Sequence, residues 1–236
     1  MKYSLLLLLV VILLPVTMFA QVSISPIIGL NNTRYKYYVN NKYINPDRND
    51  LVLDYRIGAI ADICLDNNNL YLQPGLVFTR NSQKTVDPWS KDRRLLFNIN
   101  TIEIPLSIVV RSKKNSKSRW FLSPGFLFGV NVKATQAVSY YDNKGNYIGN
   151  GKLPIKIDKD TINSINPAFF GLRGDVGYQF DGGYSLRFFF QNAFTSLVKN
   201  PNPPDYRITR INYGLVFAYQ FPLKNRRKEA ELKRRK

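Results

Sequence analysis

The stretch Ile211-Asn212-Tyr213-Gly214-Leu215-Val216-Phe217-Ala218-Tyr219-Gln220-Phe221 places large apolar residues at odd positions and small or polar ones at even positions. Successive side chains of a strand point to opposite faces, so this period of two describes a strand with one oily face. The same contrast returns seven times toward the N-terminus. Tyr184, Leu186, Phe188 and Phe190 alternate with Ser185, Arg187, Phe189 and Gln191. Phe170, Leu172, Val176, Tyr178 and Phe180 oppose Gly171, Arg173, Asp175, Gly177 and Gln179. Trp120, Leu122, Phe126, Phe128, Val130 and Val132 oppose Ser123, Gly125, Gly129, Asn131 and Lys133. Ile102, Ile104, Leu106, Ile108 and Val110 oppose Thr101, Glu103, Ser107 and Arg111. Leu70, Leu72, Leu76 and Phe78 alternate with Tyr71, Gln73, Gly75 and Thr79. Leu53, Tyr55, Ile57 and Ile63 alternate with Asp54, Arg56, Gly58 and Asp62, and Val22, Ile24, Ile28 and Leu30 with Ser23, Ser25 and Gly29.

A soluble sandwich also alternates, with its oily face turned to a core. The polar face separates the two possibilities. A water-facing sheet carries many Lys, Glu and Thr, whereas here that face carries glycines and isolated charges. Bulky residues toward lipid and small or polar ones toward a narrow lumen describe a membrane barrel. Closure is then required, because an open sheet edge has no partner in hydrocarbon. The expected fold is all-β: an eight-stranded antiparallel up-and-down transmembrane β-barrel over residues 21–222.

The connections alternate in length. Residues 31–49, 81–96 and 134–166 read as long, as does 198–206 with its three prolines; 65–68, 112–118 and 181–183 read as short. Short periplasmic turns and longer external loops are the habit of outer-membrane barrels, and an even strand number leaves both termini in the periplasm. At Asp181-Gly182-Gly183, inward residues are odd on both flanking strands. A three-residue turn satisfies that parity, with glycine at the positive-φ position. The pairing sets Arg187 opposite Gly177, diagonal to Asp175, and Arg173 opposite Gln191.

The two ends are different material. Lys2, the apolar run over residues 5–14, Pro15 and Ala20 read as a cleavable signal peptide over residues 1–20. No Cys stands just after Ala20, so no lipid anchor is indicated, and Cys64 is the only cysteine, which rules out an intramolecular disulfide. The net charge is +18, with its clearest concentration in a tail over residues 223–236, where Arg226, Arg227, Lys228, Arg234 and Arg235 outweigh Glu229 and Glu231. A basic chain suggests nucleic acid, but export argues against it. Anionic lipid or lipopolysaccharide, or an acidic face of another envelope protein, is the better partner. The tail reads either as a docking element or as a solvated terminus.

The chain has no histidine, the residue that most often supplies acid-base catalysis near neutral pH and metal ligation. No catalytic, cofactor or metal site is expected. The most site-like set is the inward charges Asp54, Arg56, Glu103, Arg173, Asp175 and Arg187, with Gln191. They form either a polar permeation path or an internal ion-pair network. Eight strands leave an interior that side chains just fill, which favours the network. Tyr35, Tyr37 and Tyr38, interleaved with Arg34 and Lys36, read as an external-loop contact for a glycan or partner, or as an interfacial aromatic belt. Arg93 and Arg94 read as loop cations able to meet lipopolysaccharide phosphates, or as solvated charge. Pro74, Pro105 and Pro124 suggest bulges.

Ile102-Glu103-Ile104-Pro105-Leu106 and Leu72-Gln73-Pro74-Gly75-Leu76 resemble the signature of PorT-like outer-membrane β-barrel proteins, of the porin family in the broad sense. The resemblance spans residues 21–221. It implies an eight-stranded barrel, and its named member belongs to the type IX secretion and gliding machinery. Tyr219 and Phe221 look like the aromatic ending that barrel-insertion machinery reads, although a basic tail follows here. The expectation is a non-enzymatic accessory or scaffolding subunit of an envelope complex. A PorT-type secretion component and a narrow channel for small solutes are the alternatives.

Overall fold

The computed structural model describes residues 22–44, 49–66, 69–87, 90–112, 118–142, 146–155, 157, 164–199 and 206–221. The expected signal peptide and the tail, with Arg226, Arg227, Lys228, Arg234 and Arg235, lie outside the described residues. Eight long strands form the wall: β1 (Val22–Val39), β2 (Leu53–Asp66), β3 (Leu70–Asp87), β4 (Ser90–Arg111), β5 (Arg119–Tyr141), β6 (Ala168–Gln179), β7 (Tyr184–Ala193) and β8 (Arg207–Tyr219). Each pairs antiparallel with its neighbours in chain order, and β8 returns to β1 from Ile27 opposite Ala218 to Tyr38 opposite Arg207. The sheet therefore meets itself with no open edge at membrane level, as hydrocarbon demands.

The period of two sets which face each residue takes. On β8, Leu215 and Phe217 are exposed while Val216 and Ala218 are buried. The same split holds on β7 and β6, and on β4 from Thr101 to Arg111. At the tight turn, Phe180 N–H donates to Tyr184 C=O at 2.7 Å, Gly182 and Gly183 take φ of 92° and 90°, and Arg187 stands opposite Gly177 and Arg173 opposite Gln191. That register is the one the parity argument requires. At the same end a band of rings lines the wall from β5 to β8: Trp120 edge-on to Tyr178 at 4.9 Å, Tyr184 against Tyr219 at 4.8 Å and Tyr219 against Phe221 at 5.0 Å. Such rings mark a membrane–water boundary.

At the other end the strands outrun the sequence reading. β1, β3, β4 and β5 hold 18, 18, 22 and 23 residues, about twice the 9–11 that span a bilayer. Most of the expected long loops are therefore continued strand. Residues 81–87 and 90–96 are the tops of β3 and β4, and residues 134–166 include the top of β5 and a further strand, Tyr147–Ile155, paired with it. Hydrophilic sequence misled here because a ladder above the membrane needs no oily outer face. We call this the extended end and the other the tight-turn end.

Three local expectations change. A register shift between Asn100 and Thr101, opposite Asn131 and Lys133, inserts an extra residue into β5, so Lys133 is exposed and Ala134 and Val138 turn inward. The three prolines mark no bulge. Pairing lapses opposite Pro74, Pro105 and Pro124, yet the register resumes unshifted on either side. A missing N–H removes one rung, and the surrounding rungs hold the alignment. Ile63, read as outward, is buried at 3% exposure between its ladder partners Val22 and Leu72.

Candidate functional site

The lumen is where the sequence concentrates polar chemistry, and the structure fills it in layers. In the middle, Arg56 Nη2 lies 3.1 Å from Glu103 Oε2, both side chains wholly buried. Gln191 Nε2 donates to the same carboxylate oxygen at 3.3 Å and Thr101 Oγ1 to the other at 3.4 Å. Phe189 packs beneath, with the Arg56 guanidinium 4.0 Å from its centroid and that of Arg173 at 5.6 Å. Arg173 grips Asp175 through two bonds of 2.8 and 2.9 Å, and Arg187 approaches the same carboxylate at 3.9 Å. Each charge reaches its partner because all stand on the inward parity of their strands.

Toward the tight-turn end the chain of contacts continues. Arg187 Nη1 donates to Gln73 Oε1 at 2.7 Å, Gln73 donates to Asp62, and Arg111 Nη2 meets Asp62 Oδ2 at 2.6 Å. Tyr71 and Phe121 lie under Arg111 and Arg187 at 4.1 and 4.6 Å. A cavity between Asp62, Arg111, Phe121 and Arg187 measures about 10 Å³, room for roughly one water. Burying charges is repaid only when each is paired and hydrogen-bonded. Arginine serves well here, offering five donors and a flat face for a ring.

Asp54 does not join the middle layer. It bonds Ser82, whose Oγ donates to it at 2.8 Å, and pairs with the partly exposed Arg80 at 3.4 Å. Asn212 Nδ2 donates to Asn81 Oδ1 at 2.8 Å, and Asn81 to Thr101 at 3.1 Å, tying this layer to the one below. A fifth buried arginine, Arg210, covers the Phe169 ring at 4.1 Å.

Above these layers apolar side chains pack into the lumen. Tyr35, Tyr37, Ile99, Ala134, Ile165, Val198 and Ile208 form one buried cluster, with Phe97, Leu197 and Tyr206 packed on it. Tyr35 and Tyr37 were expected on an external loop. They lie on β1 at 2% and 6% exposure, because that strand runs on to Val39 and their odd parity turns them into the barrel. Only Tyr38 stays partly exposed, against Tyr43 at 5.8 Å. Burial pushes the Tyr206 phenol up to about 12, so this cap stays uncharged across physiological pH. Arg93 and Arg94 are likewise on strand, not loop, their guanidinium groups 5.6 and 4.5 Å from the rings of Tyr140 and Tyr141.

The structure places Arg56, Glu103, Arg173, Asp175, Arg187 and Gln191 together in one layer of the lumen. Asp62, Gln73, Arg111 and Phe189 join the same network, and inward parity marks all four although they stood outside the expected charge set. Among the described residues no group of three or more His, Cys, Asp or Glu stands close enough to hold a metal.

The chain is similar to several proteins of known structure. The chain matches 84% of its length to Ail, the attachment invasion locus protein of Yersinia pestis, over 98% of that chain, at 12% identity and a TM-score of 0.36. It matches 85% of its length to Neisserial surface protein A over 99% of that chain, at 10% identity and 0.42. OprG from Pseudomonas aeruginosa matches at 8% identity and 0.47, covering 86% of this chain and 97% of that one. These likenesses are too distant to carry function. No curated protein sequence matches the chain. The model of the outer membrane protein beta-barrel domain family matches residues 19–197. With a closed ring of eight strands and an oily outer wall, the chain belongs to that family and is a protein of the bacterial outer membrane.

Proposed function

We propose that this barrel is non-enzymatic and non-conducting, and that it serves as an accessory or scaffolding subunit of a cell-envelope complex. One observation carries the reading: buried side chains occupy the lumen at successive described levels, from Asp62 through Arg56 and Glu103 to the apolar cluster around Ile99. A pore needs a wetted path, and side chains occupy the interior that eight strands enclose. What remains for interaction is the rim. The tight-turn end and both termini face the periplasm in this reading, with the basic tail set to meet an acidic partner or lipid phosphates, while the extended end stands outside the cell. The contact surface outside is a strand extension built from β3, β4, β5 and Tyr147–Ile155, which is stiffer than a set of loops.

Two measurements test this. Purified protein in planar bilayers is expected to give no steady current; unitary openings in the wild type would replace the scaffold by the channel reading. Affinity purification in mild detergent, with and without residues 224–236, is expected to lose partners when the tail is removed. The PorT-type role in type IX secretion rests on the short motifs at Ile102 and Leu72 alone, and unaffected cargo secretion after deletion of the gene would exclude it.

A further inference from the structure

On the outer wall, at the extended end of the seam between β1 and β8, lies a basic cleft that the interior network does not use. The outward face of β1 changes character within a few residues. Ile28 and Leu30 are apolar and more than half exposed, and Arg34 and Lys36 above them are cationic. β8 makes the same change, from Phe217, Leu215 and Tyr213 to Arg207. Across the seam Lys36 pairs with Thr209 and Tyr38 with Arg207. Together with Asn41 and Asn192 these residues line a cleft of about 260 Å³ that holds no carboxylate among the described residues.

Each side of the cleft is held in place. The turn after β1 is a two-residue hairpin whose Asn40 and Asn41 take φ of 49° and 59°, a geometry asparagine tolerates. Arg207 Nη2 donates to Phe194 C=O at 2.7 Å, which fixes the guanidinium at the cleft. Arg34, one step below, lies over the Tyr213 ring at 5.9 Å.

We propose that this cleft seats the phosphate-bearing sugar headgroup of an outer-leaflet glycolipid, whose acyl chains lie down the seam on Leu30, Tyr213 and Leu215. Two cations match phosphate. The neutral donors of Asn41, Asn192, Thr209 and Tyr38 match sugar hydroxyls. The apolar strip directly beneath is what a free anion would not need, and it assigns the ligand to a lipid. The proposal depends on the extended end lying outside, not on the scaffold reading.

The test uses the full, folded protein in zwitterionic detergent. The probes are a bisphosphorylated diglucosamine lipid, the same lipid without its phosphates, and inorganic phosphate, with bound lipid read by native mass spectrometry. The phosphorylated lipid is expected to bind about tenfold tighter than its dephosphorylated form. Lys36→Gln is expected to reduce that preference, Lys36→Gln with Arg207→Gln to abolish it, and Arg93→Gln with Arg94→Gln to leave it intact. Equal binding of the two lipids, or an unchanged preference in the double variant, overturns the proposal. So does inorganic phosphate that competes as well as the lipid does. Should the double variant fail to migrate as a folded barrel on an unheated gel, Lys36→Gln alone decides, an unchanged preference again overturning it.

Discussion

The middle of the lumen and its mouth are closed by opposite chemistry. At membrane level Arg56, Glu103, Arg173 and Asp175 pack charge against charge around Phe189. At the extended end Tyr37, Ile99, Val198 and Ile208 close the same cavity with apolar side chains. The contrast follows from what lies outside each layer. In the membrane the oily residues are used on the outer face, so the inner face is left to polar groups that must satisfy one another. Above the membrane the outer face is wet, and the strands are free to turn their apolar side inward as a soluble sheet does. One chain thus behaves as an inside-out protein over half its height and an ordinary one over the rest.

This contrast is broken most severely through Gly214, which stands opposite Phe189 on one side and Asn31 on the other. A Cβ there would sit 2.0 Å from the Leu30 carbonyl oxygen, a backbone atom of the partner strand that has no room to retreat. Gly214→Ala is expected to yield no folded species, read as loss of the fast-migrating unheated band. Next comes Glu103→Ala, which strands Arg56 in the interior and is expected to cost about 3–5 kcal/mol in urea unfolding from lipid vesicles. Glu103→Gln, which keeps an acceptor, should cost visibly less. If the alanine variant were neutral, the middle layer would not be holding the barrel.

At the mouth the effects are smaller. Ile208→Val is expected to cost about 0.5–1.5 kcal/mol, the usual figure for one buried methyl group. It should leave planar bilayers silent, because the charged layer below still blocks the lumen. Current on loosening the cap alone would show that the cap, and not the ion pairs, is the seal. The last effect is absent at neutral pH and confined to alkaline solution. Burial raises the Tyr206 phenol to about 12 from an unfolded value of about 10. Its contribution is therefore complete below pH ~10 and lost as pH rises toward ~12. Tyr206→Phe should flatten the stability profile in that window relative to wild type.

The same division explains what was legible in the sequence. Membrane strands carry two contrasting faces, so residues such as Phe188 and Arg187 announce their orientation, and the Gly182-Gly183 turn fixed the register down to individual pairs. The middle layer followed from parity. Above the membrane the contrast fades. Asn81, Gln83 and Thr85 are buried polar residues on β3, and nothing in their composition distinguishes a ladder from a loop. Tyr35 and Tyr37 were therefore placed in solvent, and the cap they build went unseen. The extra residue near Val132 reverses the parity of β5 partway along, a change that alternation alone does not betray.

The seam between β1 and β8 joins the two extremes of the barrel sequence, Ile27 meeting Ala218 and Gly29 meeting Val216. Every other wall contact links neighbours along the chain, so this one carries the greatest loop-closure entropy. Until the C-terminal strand is available, the nascent sheet has two raw margins and no cylinder. A chain cut short before residue 207 therefore keeps the free edges of β1 and β7 and cannot close.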